Sequence, residues 1–535
     1  MLDQIRRQEK LTWILFAAVV IVLYLFALDL PLLGPDEPRY SQVAREMYER
    51  GDWVTTTLGG YNWFEKPALL YWLQITFYNL FGVSEFSARL GSALFGLGTI
   101  GCLFVLGRQI TAEVRRRGEE IKLVANQNSE LQTLNPELPL WLALVAASSI
   151  GLIAFSRGAS FDIILTFPIT ASLVSFFVWE ISHRARGVSD GEKEKFSLLS
   201  VPTVAIFLFY FFIGVALIAK GLIGIVFPFA IVSFYYVLRW KLPGKPLILS
   251  LFWGTIVSIL VASAWYLPMY LVNGWEFIDE FFIQHHFKRY ASNKYLHPQP
   301  FWFFWVILPA MTIPWIPFFG IATWKTIKEI ISRKGAKVRS ENQSPTTYYQ
   351  LRVFALAWIL VPLVFFSFSG SKLPGYILPS LPAACILAGE YISRFVGKNS
   401  ARKHLLQILA FLTFLVVAIL LQFALPRYAV NDSVKGLVTA ANERGYTAEK
   451  ILNFNTISHS IEFYGANRLL REDDGKQKRF DKALEIDEYM KAEEARRVLV
   501  LAPVQFEKGL KLSESLEVTK IRQNSELGIF LIERK

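Results

Sequence analysis

The sequence predicts a polytopic α-helical membrane protein with about eleven spans, up to thirteen, helices lying in the interface within the first outer loop, and a small C-terminal α/β domain outside the membrane. Three observations predict it. Hydrophobic residues make up 53% of the 535 and charged ones only 19%, too little charge to cover a soluble protein of that size. The apolar residues cluster in runs of about 20, the length that crosses a bilayer as a helix. Lys and Arg then fall in every second loop between those runs, the asymmetry that marks the inner side.

The spans are read near residues 11–30, 85–107, 138–155, 161–181, 200–219, 221–238, 247–271, 301–323, 351–368, 374–393 and 404–425. The first follows a short basic head of Arg6, Arg7 and Lys10 and runs into GPDEPRY without a small-residue cleavage site, so it reads as a retained helix. With the N-terminus inside, the inner loops carry Arg115 to Arg117, then Arg184 to Lys195, Arg239 to Lys245, Lys325 to Arg339, and Arg394 to Lys403. The net charge of +12 is therefore a topology signal and not a nucleic-acid footprint. Cys102 and Cys385 lie in apolar runs, which supplies neither a disulfide framework nor a thiolate metal site. An odd number of spans puts residues 427–535 outside, beyond a membrane domain of residues 1–426. That tail has strand-like runs at 451–456, 497–503 and 528–533 and helix-like stretches at 433–444 and 481–495. REDDGKQKRF (471–480) reads as a solvated loop, and no catalytic motif stands out in this domain.

The outer loops should be poor in charge, and where they break that rule they pair cations with acids, histidines or aromatics. The first outer loop (31–84) holds GPDEPRYSQVAREM and YNWFEKPALLYWLQITF; the outer loop 272–300 holds FIQHHFKRYASNKYLHPQP. Two shorter turns hold SRGASFD (156–162) and SGSKLPGYILP (369–379). Asp36 reads equally as the cap of the helix that Gly34-Pro35 opens and as a functional acid; capping leaves the adjacent Glu37 and the following Arg39 unexplained. Lys66 taken alone reads as a snorkelling anchor of a short interfacial helix. Asp162 and Arg157 read as a loop-tying ion pair, and Lys220 as an interfacial anchor. His285, His286 and His297 share one loop with Lys288, Arg289 and Lys294, cations that suit a phosphate; a carboxylate such as Glu65 with one His suits a divalent ion. Lys372 and Tyr376 flank a rigid Pro-Gly turn. Together these acids, cations and histidines fit group transfer from an anionic lipid donor, with cations holding the phosphate as a leaving group and a carboxylate orienting or deprotonating the acceptor.

Four blocks now stand in order on the expected outer side: Asp36-Glu37-Pro38-Arg39-Tyr40, Glu65 to Trp72, Ser87 to Leu90, and Lys372 to Pro379. In them the chain resembles the integral-membrane GT-C glycosyltransferases, in the branch of the 4-amino-4-deoxy-L-arabinose lipid A transferases and the protein O-mannosyltransferases, over most of residues 30–380. The resemblance implies inverting transfer from a polyprenyl-phosphate-linked sugar donor to a lipid, glycan or protein acceptor, at the lipid bilayer of a bacterial inner membrane, with the active site periplasmic. It implies Asp36 as the catalytic carboxylate, with Asp162 and Glu37 as further acids. Arg39, Tyr40, Lys66, Lys220, Arg289, Lys372 and Tyr376 become substrate contacts. Glu65 and His286 become the ligands of a divalent metal (zinc, magnesium or manganese), although the acid that precedes the loop histidine in the aminoarabinose enzymes is His285 here. A transporter or flippase of a lipid-linked sugar is the competing expectation. Such proteins place charge at mid-membrane and show internal repeats, whereas here the charges sit at the outer mouths and no repeat is evident.

Overall fold

A computed structural model describes residues 2–125, 136–186, 200–288, 298–336 and 346–535. The chain divides into two compact units, the first of Met1–Phe26, Glu65–Leu70 and Ser92–Val416, the second of Ala27–Phe64, Tyr71–Gly91 and Val417–Lys535. The expected border at 426 is therefore crossed: most of the first outer loop belongs with the C-terminal domain.

The first unit is helical. Among the described residues seven helices are long and apolar enough to cross a membrane, or eight when the bent pair Phe303–Met311 and Ile316–Arg333 is one span. The shorter apolar helices Leu11–Leu25, Leu138–Ser148 and Ile223–Leu238 stand where the first, third and sixth spans are expected. This is an integral membrane protein. Two expected spans are interrupted. The stretch 138–155 breaks at Ser149, which is extended (φ −72°, ψ 124°), and 301–323 bends by 118°. The breaks are stitched to each other: the Ile150 amide donates to the Ile313 carbonyl at 3.0 Å, and the Trp315 indole donates to Ser148 Oγ at 3.0 Å. A broken backbone at membrane depth must find its partners within the protein, because lipid offers none. Runs of apolar residues cannot reveal such a break.

Charged side chains inside this unit are paired. Arg239 lies 3.1 Å from Glu180, which also accepts from Tyr236 Oη at 3.0 Å. Arg352 bridges Glu390 at 2.9 Å and Glu329 at 2.6 Å, and Arg394 joins Glu390 at 2.7 Å. These residues border the basic loops, so part of the basic signal in the sequence is structural ion pairing.

In the second unit the first outer loop folds as helix α1 (Asp36–Arg50), a two-stranded hairpin (β1 Thr57–Leu58, β2 Tyr61–Asn62) and helix α2 (Leu69–Phe81), which the sequence placed as interfacial. Gly51 at φ +65° caps the end of α1, and Gly59 and Gly60, at φ +64° and +84°, turn the hairpin. Glu46 locks helix to hairpin: its carboxylate accepts from Thr57 Oγ1 at 2.7 Å, the Gly59 amide at 2.6 Å and the Gly60 amide at 3.1 Å. The C-terminal part holds a five-stranded sheet, β3 (Ile451–Phe454), β4 (Arg479–Phe480), β5 (Arg497–Pro503), β6 (Leu516–Gln523) and β7 (Leu527–Arg534), in the order β4-β3-β5-β7-β6. The first three strands pair in parallel and the rest antiparallel. Alternate residues of β5 face opposite cores, Leu499 and Leu501 on one side and Val498 and Val500 on the other, so its apolar run is buried on both faces. Helix α3 (Lys435–Glu443) covers the first core and helix α4 (Ala483–Ala492) the second.

The 471–480 segment is solvated, as its charges suggest, at Glu472 to Asp474 and Lys476, but not at its ends. Its end forms β4, and Arg471 is buried in an ion pair with Glu462. Strand β6, rich in Lys, Glu and Arg, also escaped the sequence reading, because its exposed polar face masks the alternation.

Candidate active site

The first acidic cluster sits at the start of α1. Pro35 holds the N-cap position and makes no side-chain cap bond, so Asp36 is the first helical residue and not the cap. Its carboxylate is 48% exposed and pairs with Arg39 Nη2 at 2.5 Å one turn on. Arg39 also donates to the Pro35 carbonyl at 2.9 Å and lies 5.9 Å from the ring centre of Trp63. The local sequence explains the geometry: Pro38 suits the first turn, and residues three apart share a face. Tyr40, expected as a substrate contact, is buried in the same helix.

Glu37 is turned elsewhere. Its side chain meets the nearly buried Arg89, with Nε 3.1 Å from Oε1 and Nη2 2.7 Å from Oε2. It also accepts the Leu33 amide at 2.8 Å. Arg89 in turn donates to the carbonyls of Leu28 at 3.0 Å, of Leu30, and of Pro31 at 2.9 Å. Of the two adjacent carboxylates, Glu37 holds the entry of the loop and Asp36 faces outward. Arg89 lies in the Ser87–Leu90 block; its role is invisible to sequence because the partner lies 52 residues away.

The first unit gathers a second cluster from three turns that the sequence put on one side. Asp162 Oδ1 pairs with Lys220, and its Oδ2 lies 3.5 Å from Ser160 Oγ. Lys220 Nζ sits 5.1 Å from the ring centre of Tyr376, a residue on the 3-10 helix Pro374–Ser380. A Cβ on Gly375 would come within 1.8 Å of Asp162 Oδ2, so the glycine of the Lys-Leu-Pro-Gly-Tyr turn is there for the close approach of that carboxylate. The expected Arg157–Asp162 tie is replaced. Arg157 reaches the carbonyls of Leu23, at 2.6 Å, and Phe26, and Lys220 takes the acid.

Lys372, expected on substrate, is buried and donates to the carbonyls of Ser369 at 2.7 Å and Gln299 at 3.0 Å; it fastens the turn. Glu65 and Lys66 pair with each other at 2.9 Å, both largely buried. Arg289 and the side chain of His286 lie outside the described residues. Among the described residues no three His, Cys, Asp or Glu side chains gather as a metal-ligand set. The described part of the expected pair is one carboxylate already engaged by an ammonium, and no step below is drawn through a metal.

One residue that sequence reading missed belongs beside Asp36. His459 precedes the short helix α5 (Ser460–Tyr464), which packs on α1: Tyr464 Oη accepts the Leu32 amide at 2.8 Å, and Arg45 Nη1 reaches the Phe463 carbonyl at 3.4 Å. Burial, then the charge of Arg39, holds the His459 imidazole below its ordinary value, while Asp36 pulls it up. A cavity of about 320 Å³ lined by Tyr48, Trp53, Ile75 and Leu80 opens at the other end of α1 and is largely apolar.

Comparison with known proteins agrees with the motif reading. No protein-family profile matches the chain. Curated relatives named undecaprenyl phosphate-alpha-4-amino-4-deoxy-L-arabinose arabinosyl transferase include one from Shewanella sediminis, 28% identical over 410 residues, covering 76% of this chain and 65% of that protein. Another, from Serratia proteamaculans, is 28% identical over 385 residues, covering 71% of this chain and 59% of that protein. The matched part of the chain thus spans less than two thirds of the length of these relatives. Among solved structures, ArnT from Cupriavidus metallidurans bound to undecaprenyl phosphate superposes with a TM-score of 0.73 at 20% identity, covering 97% of each chain. The same protein in the apo state gives 0.70 at 21%. The small C-terminal sheet domain and the helical membrane part therefore form a fold already known, and the resemblance to the GT-C glycosyltransferases of the aminoarabinose type holds in sequence and in fold.

Proposed function

We propose that this chain is a glycosyltransferase that moves a sugar, a 4-amino-4-deoxypentose being the first to try, from a polyprenyl-phosphate carrier to a glycolipid of the lipid A kind on the outer side of the inner membrane. The observation that carries the reading is the Asp162–Lys220–Tyr376 cluster, built from turns expected on that side, in a chain with the fold of a protein solved with undecaprenyl phosphate. The relatives' names support the donor and the pentose.

The reaction breaks the bond between the anomeric carbon and the carrier's phosphate oxygen and forms one to an acceptor oxygen arriving from the opposite face. Both electrons of the broken bond leave with the phosphate, so cations there lower the barrier. Lys66, Arg39, Arg289 and the Tyr376 hydroxyl take that role in this reading, as the resemblance implies. Asp36, exposed and oriented by Arg39, acts on the acceptor. A hydroxyl acceptor needs it as a base. A phosphate acceptor is largely ionised at pH 7, its second pKa being about 6, and needs only orientation. Asp162 is engaged by Lys220, which suits positioning of the sugar more than proton transfer. Glu37, tied to Arg89, shapes the loop.

The test uses the purified full chain in proteoliposomes with an undecaprenyl-phosphate-linked aminopentose and a lipid A acceptor, with products read by mass spectrometry and the leaflet of the donor by its accessibility from outside. Transfer produces free undecaprenyl phosphate and an acceptor heavier by one sugar. Movement of the intact donor across the bilayer with no product would sink the proposal and favour a flippase.

A further inference from the structure

The C-terminal domain carries no motif that the sequence made legible, yet it places one histidine at the start of α1. His459 makes no side-chain hydrogen bond to any described residue, and its Nδ1 is shielded from solvent without a partner. A buried imidazole nitrogen without a partner is costly to leave unmade and usually has a ligand or water in the working state. The charged groups acting on it are Arg39 and Asp36, both on α1; on the helix that follows it Glu462 is taken by Arg471 and Gln477. Its place is fixed by the packing of the following helix. Tyr464 is held by Leu32 and by Glu85 at 3.0 Å, and Ser460 Oγ takes the Val434 amide at 3.2 Å.

We propose that His459 is a substrate-binding residue that, together with Arg39, takes a phosphate group at the Asp36 end of α1. The inference rests on the transferase reading and deepens it by giving the C-terminal domain a part in binding. The physical reason is charge. In the free protein burial, and then the positive charge of Arg39, disfavour protonation of the imidazole, against the pull of Asp36. A phosphate dianion placed against Arg39 reverses that field. The ring then takes up one proton from solvent and becomes a second charge-assisted donor to the phosphate oxygens. Binding is thereby coupled to proton uptake and tightens as pH falls, by up to about tenfold per pH unit above the free residue's pKa. Two lipids could bring the group: the carrier, through its phosphate, or the acceptor, through a phosphate on its sugar.

The experiment measures affinity between pH 6 and 8 for undecaprenyl phosphate and, in a separate arm, for a phosphorylated glucosamine-disaccharide lipid. Full-length wild type, His459→Gln and His459→Lys are compared in nanodiscs. Wild type should show a slope steeper than His459→Gln for at least one lipid, and that lipid identifies the source of the phosphate. His459→Gln should bind it about tenfold more weakly at pH 6.5 and equally at pH 8. The permanently charged His459→Lys should bind at least as tightly as wild type at pH 8, with the slope gone; a merely structural role for the ring would not produce that gain. If all three proteins share one slope with both lipids, the inference is overturned while the transferase reading stands. If wild type binds neither lipid, the transferase reading itself fails.

Discussion

Asp36 and Glu37 are neighbours in sequence with opposite expected phenotypes, and the contrast can be put in numbers. Glu37→Gln keeps the shape of the side chain but removes the countercharge of Arg89, whose side chain is 4% exposed against 13% for Glu37. Breaking a buried pair by neutralising one member costs about 3–5 kcal/mol, and the amide oxygen that remains argues for the lower end, about 3 kcal/mol. At about 1.4 kcal/mol per factor of ten, opening of the 28–37 segment becomes roughly a hundredfold more frequent. Hydrogen exchange of the Leu33 amide, held at 2.8 Å by the same carboxylate, reads this directly and should accelerate by that factor. Transfer per folded molecule should fall less than tenfold. Asp36→Asn breaks a pair whose acid is 48% exposed, worth at most about 1 kcal/mol after screening, so exchange should barely change while transfer drops by a hundredfold or more. Unchanged exchange in Glu37→Gln, or near-normal transfer by an Asp36→Asn protein that still binds both lipids, refutes this division of labour.

Further outcomes follow from the same geometry. Gly375→Ala should drive the Asp162 carboxylate off its seat and cost at least tenfold in transfer with the donor still bound; wild-type turnover would mean that Asp162 is not held by this turn. Lys66→Met removes a charge-assisted donor worth about 1.5–3 kcal/mol, so undecaprenyl phosphate affinity should fall roughly ten- to hundredfold. Arg352→Met takes from Glu390 and Glu329 the partner they share, leaving them the half-exposed Arg394 and Arg333, and should lower stability by up to about 3 kcal/mol, with kcat per folded molecule intact. The burial of His459 has a stability signature as well. Its proton affinity is lowered in the fold, so the unfolded chain binds the proton first, and wild type should lose stability relative to His459→Gln as pH falls below about 6.5, with no difference above pH 7.

Much was legible in the amino acids alone because membranes impose simple rules. Long apolar runs cannot be anything but buried in lipid or protein, and the Lys and Arg between them mark one side. Outer loops that break the charge rule therefore stood out, and they supplied Asp36, Lys66, Asp162, Lys220 and Tyr376 before any coordinate. What sequence could not carry was pairing over distance. That Arg89 claims Glu37, that Lys220 and not Arg157 holds Asp162, and that Lys372 spends its ammonium on two carbonyls are matters of packing between residues far apart in the chain. The breaks at Ser149 and near Pro314 were hidden because hydropathy records composition and not backbone direction. His459 was hidden for a related reason: a lone histidine in a soluble tail has no local signature. Only the packing of the helix after it against the first outer loop sets it beside Asp36 and Arg39.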